Sequence, residues 1–410
     1  MTAPALRSLN PFRTLQRHRN FRLFWLGQTL SLIGTWMQSM AQGWLALELS
    51  NSALLVALVA AAQSFPVLLL SMPAGVVVDR SDKLRLVKIA QALLALEAAT
   101  LWWTTWSGHV TMTWLLALAT ANGVFSALEI PARQSLVIEL VGREDLPGAI
   151  ALNSSGFNLA RVVGPSIGAI IIAKLGMAWC FGVNALSYIT VLIGLFMIRL
   201  PEWVPPPQLI APLEGMREGL RYMRETSAVW ALIRLITVFS VLGVPYLTLM
   251  PVFARDRLGL DAGGYGALLA CVGIGGLSGA LSLAALGHWF RRGTLVFGAA
   301  FAYASMLIVL SLVSSATLAY PVLLGVGFTM IVNNATGNAT LQRLVPNELR
   351  GRMMAAYSFI AVGLSSVLGS MIGGALAHAV GVSWAIGLGA VVMLAYASWA
   401  FRYHPELRAV

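Results

Sequence analysis

The chain has 410 residues, of which 58% are hydrophobic and 10% charged, with a mean hydropathy of +0.79 and a formal net charge of +11. Soluble domains carry about 25% charged residues, so this composition excludes an ordinary water-soluble fold and indicates an integral membrane protein. Ten-residue alternation is absent, which excludes a transmembrane β-barrel, and the cations fall in short segments between apolar runs rather than in a nucleic-acid-binding signature.

Taken in order, the apolar runs predict twelve membrane-spanning helices, at 22–47, 53–78, 86–106, 110–130, 149–172, 177–198, 229–250, 263–286, 294–314, 317–338, 353–376 and 381–402. The Arg-rich start leads into a run too long for a signal peptide, so the first helix is expected to remain. Span one carries Gln28, Gln38 and Gln42, and span two carries Gln63, polar side chains able to line a cavity or to bond across helices. Span two ends at the surface in Gly75–Lys88, GVVVDRSDKLRLVK. Asp79, with Gly75, Arg80 and Lys83, is read there as a gate anchor, because a carboxylate at the interface can accept from a neighbouring helix N-terminus.

Span three places Glu97 about eleven residues deep, about 16 Å at 1.5 Å per residue. Span four has Asn122 as its polar interior residue. Span five, Ala151–Ala169 (ALNSSGFNLARVVGPSIGA), carries Asn158 and Arg161, the latter about 18 Å deep. Ionisable groups at this depth cost about 3 kcal/mol, so Glu97 and Arg161, opposite in charge and similar in depth, are expected to couple in at least one conformation as a proton or charge relay, directly or through a polar residue such as Asn122. Small residues at four-residue spacing in span five, Gly164 and Gly168 among them, let another helix approach, and Pro165 removes a backbone donor.

The longest polar interval, 199–228, divides the chain into two six-helix halves, 1–198 and 229–410, and reads as a linker. Span ten adds Asn333, Asn334 and Asn338 to the candidate cavity residues. Ser365–Gly374 (SSVLGSMIGG) echoes the Gly-rich fifth span about 205 residues later, and Leu175–Trp179 (LGMAW) is echoed by Val380–Trp384 (VGVSW). Such an offset predicts two homologous halves. Of the 27 Lys and Arg residues, 23 fall on the side holding both termini and the linker, and three on the other, namely Lys174, Arg255 and Arg257. The positive-inside rule therefore makes both termini cytoplasmic. Cys180 and Cys271 sit in apolar runs as packing residues, and no metal-ligand or cofactor spacing appears.

The sequence resembles the major facilitator superfamily. Gly75, Asp79, Arg80 and Lys83 are similar to that family's cytoplasmic loop signature, with Asp82 standing where the family has Gly. Ala151, Ala160, Gly164-Pro165 and Gly168-Ala169 resemble its fifth-helix antiporter signature. Pro131–Val141 and Asn158–Ala169 are more similar to the branch of enterobactin exporters and macrolide efflux proteins. The resemblance implies an all-α membrane fold of two pseudo-symmetric six-helix bundles, alternating access, and export coupled to protons. One departure stands out: the family's proton-coupled exporters carry an Arg in mid-helix four, and span four here has none.

These observations favour a secondary active exporter of small organic molecules in the cytoplasmic (inner) membrane, acting as a monomer with H+ as coupling ion, the bilayer as surroundings and no cofactor. An importer or facilitator is the alternative within the class. A membrane-embedded enzyme finds no catalytic Ser, Cys or metal pair and no phosphate loop.

Overall fold

A computed structural model describes residues 12–200, 221–346, 349, 353–354 and 357–408. Among them there are helices and no strands. In a bilayer a helix satisfies every backbone N–H and C=O within its own segment. A short α1 (Phe12–Arg17) precedes α2 (Arg19–Ser50), α3 (Ala53–Asp79) and α4 (Lys83–Trp106). Next come α5 (Met112–Gly142), α6 (Glu144–Leu175) and α7 (Ala178–Met197). The second half holds α8 (Ser227–Gly243), α9 (Pro245–Val252) with a π-helical turn at Phe253–Arg257, α10 (Ala262–Leu286), α11 (Arg292–Leu312) and α12 (Ala316–Leu344). A π-helical stretch, Phe359–Gly369, runs into α13 (Ser370–Val380), followed by α14 (Val382–Tyr403) and α15 (Pro405–Arg408).

Ten helices among the described residues are long and apolar enough to cross a membrane. The other two long helices, α2 and α4, have 32 and 24 residues, or about 48 and 36 Å. They are the least apolar of the long helices, and they carry Gln28, Gln38 and Gln42, and Gln91 and Glu97 respectively. Of the expected linker 199–228, residues 201–220 lie outside the described residues.

Between α5 and α6 no loop intervenes. The two helices meet at Gly142, whose φ of 72° is the left-handed region that glycine enters without a Cβ clash. The bend is pinned on both sides. Lys83 Nζ lies 3.2 Å from Glu139 of α5, and Asp145 of α6 takes His18 at 2.8 Å and Arg17 at 3.2 Å. Asp82 caps α4, its carboxylate accepting from the Arg85 N–H at 3.1 Å. That gives the Asp at the family's Gly position a local role, since a helix start leaves such donors unmet.

Contacts group the chain into two compact units. The first comprises Met1–Ala41, Leu69–Val110 and Ala121–Pro207. Its core includes Phe21, Phe24, Val87, Leu136, Val137, Leu152 and Leu195, all buried. Here α6 lies directly on α2: a Cβ at Gly164 would stand 2.7 Å from the Ile33 carbonyl and 3.1 Å from the Met37 nitrogen. The second unit comprises Gln42–Leu68, Thr111–Thr120 and Gln208–Val410. In it α10 and α12 pack backbone against backbone through Gly275, Gly279 and Gly327, the small-residue contact that lets helices adhere in lipid. The repeated Gly-rich segment reproduces the α6 arrangement, since Gly369 sits against the Val241 carbonyl of α8, 2.6 Å from where its Cβ would be.

Candidate functional site

Glu97, on α4, is 3% exposed. Its carboxylate accepts from Gln38 Nε2 of α2 at 3.2 and 3.3 Å and from Asn122 Nδ2 of α5 at 3.1 Å. Gln38 in turn accepts from Asn184 Nδ2 of α7 at 2.8 Å, and the Ser187 hydroxyl donates to Asn184 at 3.1 Å. Four helices of the first unit thus meet on one chain of amides around a carboxyl group. The partners satisfy what burial would otherwise leave stranded.

A second cluster lies further along the same helices. Gln91 of α4 donates to Glu129 of α5 at 3.0 Å and to Gln28 of α2 at 3.4 Å. Arg133, one turn on, donates to Glu129 at 2.8 Å. The two carboxyls differ in kind. Glu129 has a cation as partner, whereas Glu97 has amides alone among its hydrogen bonds to the described residues. A carboxyl held only by amides can change its charge without breaking an ion pair, which Glu129 cannot.

The structure therefore brings Glu97, Gln38 and Asn122 together. Arg161 is not among the partners of Glu97; it is half-buried on α6. Among the described residues the hydrogen-bond partners of the Glu97 carboxyl are neutral amides, Asn122 included. Asn122, at the position where the resemblance implies Arg, supplies its N–H to Glu97. Sequence reading missed Gln91, Glu129 and Asn184. Glu129 and Arg133 are four residues apart, the spacing of a helix ion pair, and that was the available signal.

The remaining candidates are dispersed. Asn158 donates to the Ser154 carbonyl at 2.9 Å, and Gln63 is half-buried on α3. Gln42 is buried, and its amide nitrogen lacks a hydrogen-bond partner among the described residues. In the second unit Asn333 and Asn334 line a small pocket with Ser240 and Tyr357, and Asn338 accepts from Gln342. Of the loop residues, Asp79 ends α3 exposed, Arg80 is exposed, Lys83 is paired with Glu139, and Gly75 has open space where a Cβ would lie. Pro165 and Gly168 are buried on α6, and Met37 and Met40 of α2 would crowd a Cβ at Gly168.

Across the second unit a different set of contacts holds α2 and α3 to the C-terminal helices. Asn51, the turn between α2 and α3, has φ 49°, the one positive value among described non-glycine residues. Its side chain accepts from Arg255 Nη1 at 2.8 Å, and Arg255 Nε reaches Asp256 at 2.7 Å. Trp44 stacks on Tyr265 with ring centroids 5.7 Å apart.

Helices able to cross a membrane with carboxyl and amide groups buried among them define a multi-pass membrane protein with a polar interior, as solute transporters have. Over residues 7–409 the chain matches the family model described as transmembrane secretion effector, and it belongs to that family of major facilitator superfamily transporters. It is similar to the multidrug efflux pump Tap of Mycolicibacterium fortuitum, 28% identical over 83% of this chain and 84% of that protein. It is also similar to the enterobactin exporter EntS of Shigella flexneri, 25% identical over 90% and 86% of the two chains. Among solved structures, a bacterial homologue of the human lysosomal transporter Spinster aligns with a TM-score of 0.75 at 14% identity, covering 95% of this chain and 98% of that one. That likeness concerns the fold.

Proposed function

We propose that this transporter exports small organic molecules of the siderophore or drug class across the cytoplasmic membrane by alternating access, in exchange for protons. The exporters it is similar to support the direction and the cargo class. The observation that carries the coupling is Glu97, a buried carboxyl whose hydrogen-bond partners among the described residues are all amides. In this reading Glu97 exchanges the proton, and Arg161 on the neighbouring helix responds to its charge. The halves 1–198 and 229–410 move about the substrate, joined by the cytoplasmic linker 199–228, in a monomer with both termini cytoplasmic. Gln28, Gln38, Gln42, Gln63, Asn122, Asn158, Asn333, Asn334 and Asn338 offer the polar contacts. The Gly75, Asp79, Arg80 and Lys83 loop forms the cytoplasmic gate, and Gly164, Pro165 and Gly168 give α6 a smooth face to shift on α2. Arg255 and Asn51 form the outer gate.

The test is uptake into inverted membrane vesicles, with ethidium and a catecholate siderophore as probes. Acidifying the lumen should drive accumulation by the wild type, a protonophore should abolish it, and Glu97→Gln should not respond to the gradient. Asp79→Asn should insert normally and transport poorly. Uptake that follows sodium or concentration alone would refute the proton coupling, and normal transport by Asp79→Asn would remove the gate.

A further inference from the structure

The second unit carries a groove of about 700 Å³ between the π-helical turn after α9, the C-terminal end of α11 and the α13–α14 turn. Its lining is mixed in chemistry. Part of it is apolar and open to the surroundings: Leu312 is 73% exposed, Trp384 68% and Val391 52%. Outward-facing side chains of this kind on a membrane-crossing helix are those that meet acyl chains. Asp256 and Arg257 give it a polar end, where Arg257 bonds the Val313 carbonyl.

Arg257 is only partly engaged. Its Nε donates to the Val313 carbonyl at 3.3 Å, which fixes the guanidinium, while the two terminal nitrogens have no partner among the described residues. Asp256 gives one carboxylate oxygen, Oδ1, to Arg255, and its other oxygen has no partner among them. A positioned guanidinium with two free N–H faces suits the bidentate geometry of a phosphate. A carboxylate oxygen on the preceding residue, Asp256, suits an ammonium group. The exposed apolar side chains complete an amphipathic outline. Arg257 also belongs to the three cations on the side that the charge asymmetry makes external, so the polar end falls at the outer headgroup level.

We propose that this groove binds an amine-bearing, zwitterionic glycerophospholipid of the outer leaflet. Its phosphodiester lies on Arg257, its ammonium donates to Asp256, and one acyl chain lies along Leu312, Trp384 and Val391. The assignment uses the orientation adopted above but not the cargo or the coupling ion.

Native mass spectrometry of the purified full-length protein in micelles tests it, with phosphatidylethanolamine and phosphatidylcholine of matched acyl chains as probes. Wild type should retain phosphatidylethanolamine about tenfold better than Arg257→Gln does, and Arg257→Lys should recover most of that retention. Asp256→Asn should erase the preference for phosphatidylethanolamine over phosphatidylcholine, whose quaternary ammonium has no N–H to donate. Each variant is first checked for a monodisperse peak and wild-type melting. Equal retention by wild type and Arg257→Gln, or no preference between the two lipids in the wild type, would overturn the proposal. Cysteine labelling of the linker and of Asp261 in intact cells tests the leaflet separately: impermeant labelling of the linker would overturn the outer-leaflet assignment, whereas the micelle measurement, made without sidedness, decides the lipid chemistry.

Discussion

Replacing Glu97 separates the amide network from an ordinary polar surface. Glu97→Ala removes the acceptor shared by Gln38 Nε2 and Asn122 Nδ2. At about 1–3 kcal/mol for a buried group left unmet, the Gln38 donor alone should cost about that much. Glu97→Gln is milder, because one acceptor oxygen remains, but its new N–H₂ faces a donor. Gln38 cannot relieve this by turning over, since its oxygen already holds Asn184 at 2.8 Å. The mismatch would only move to Asn184, so about 1–3 kcal/mol should persist. Exchanging the groups, Glu97→Gln with Asn122→Asp, restores an amide–carboxylate pair with the donor reversed and leaves Gln38 an acceptor. Reversible unfolding of the purified protein in mixed micelles gives the four corners of the cycle. The double variant should recover at least about 1 kcal/mol relative to additivity. Strict additivity, or a Glu97→Gln protein within about 0.3 kcal/mol of wild type, would refute the network as drawn.

Two further outcomes follow from packing and from the Arg255 contacts. Gly164→Val should lose about 1–3 kcal/mol, since its Cβ would press on the backbone of α2, whereas Gly298→Ala, with open space around its Cβ, should be neutral or stabilising; equal tolerance of both in the same unfolding assay would contradict the close approach. Arg255→Gln removes the charge-assisted bond to Asn51, worth about 1 kcal/mol at a half-exposed site, and should raise the thiol-reaction rate of Gly43→Cys about fivefold in a background lacking Cys180 and Cys271. At Gly43 a Cβ fits 3.7 Å from Pro251 and from Tyr265, so the probe itself is accommodated, and an unchanged rate would dismiss the latch.

What could be read from the chain followed the physics of single helices. Apolar length gave the spans, and the Gly-rich echo gave a packing that recurs at Gly164 on α2 and Gly369 on α8. Helix ends were less legible, because a helix can outlast the bilayer. The run after span four keeps an amphipathic pattern, so α5 continues to Gly142, where a loop from 130 to 149 was expected. Asp82 looked like a departure from a signature until its carboxylate was seen on the Arg85 N–H. Depth placed Glu97 and Arg161 at one level, but rotation about each helix axis decides which groups meet, and it sets Gln38 and Asn122 on the Glu97 carboxyl. Glu129 escaped the sequence reading because its second partner, Gln91, comes from another helix.

The bend at Gly142 has a mechanical consequence. With one residue and no slack between them, α5 and α6 form a cranked rod whose elbow is fastened by Glu139 to α4 and by Asp145 to the N-terminal arm. Any sliding of α6 over the glycine face of α2 must then be handed directly to α5, which carries both Asn122 and Glu129. In the mechanism proposed above, movement on the small-residue face and the state of the Glu97 carboxyl would be geared together through this single joint.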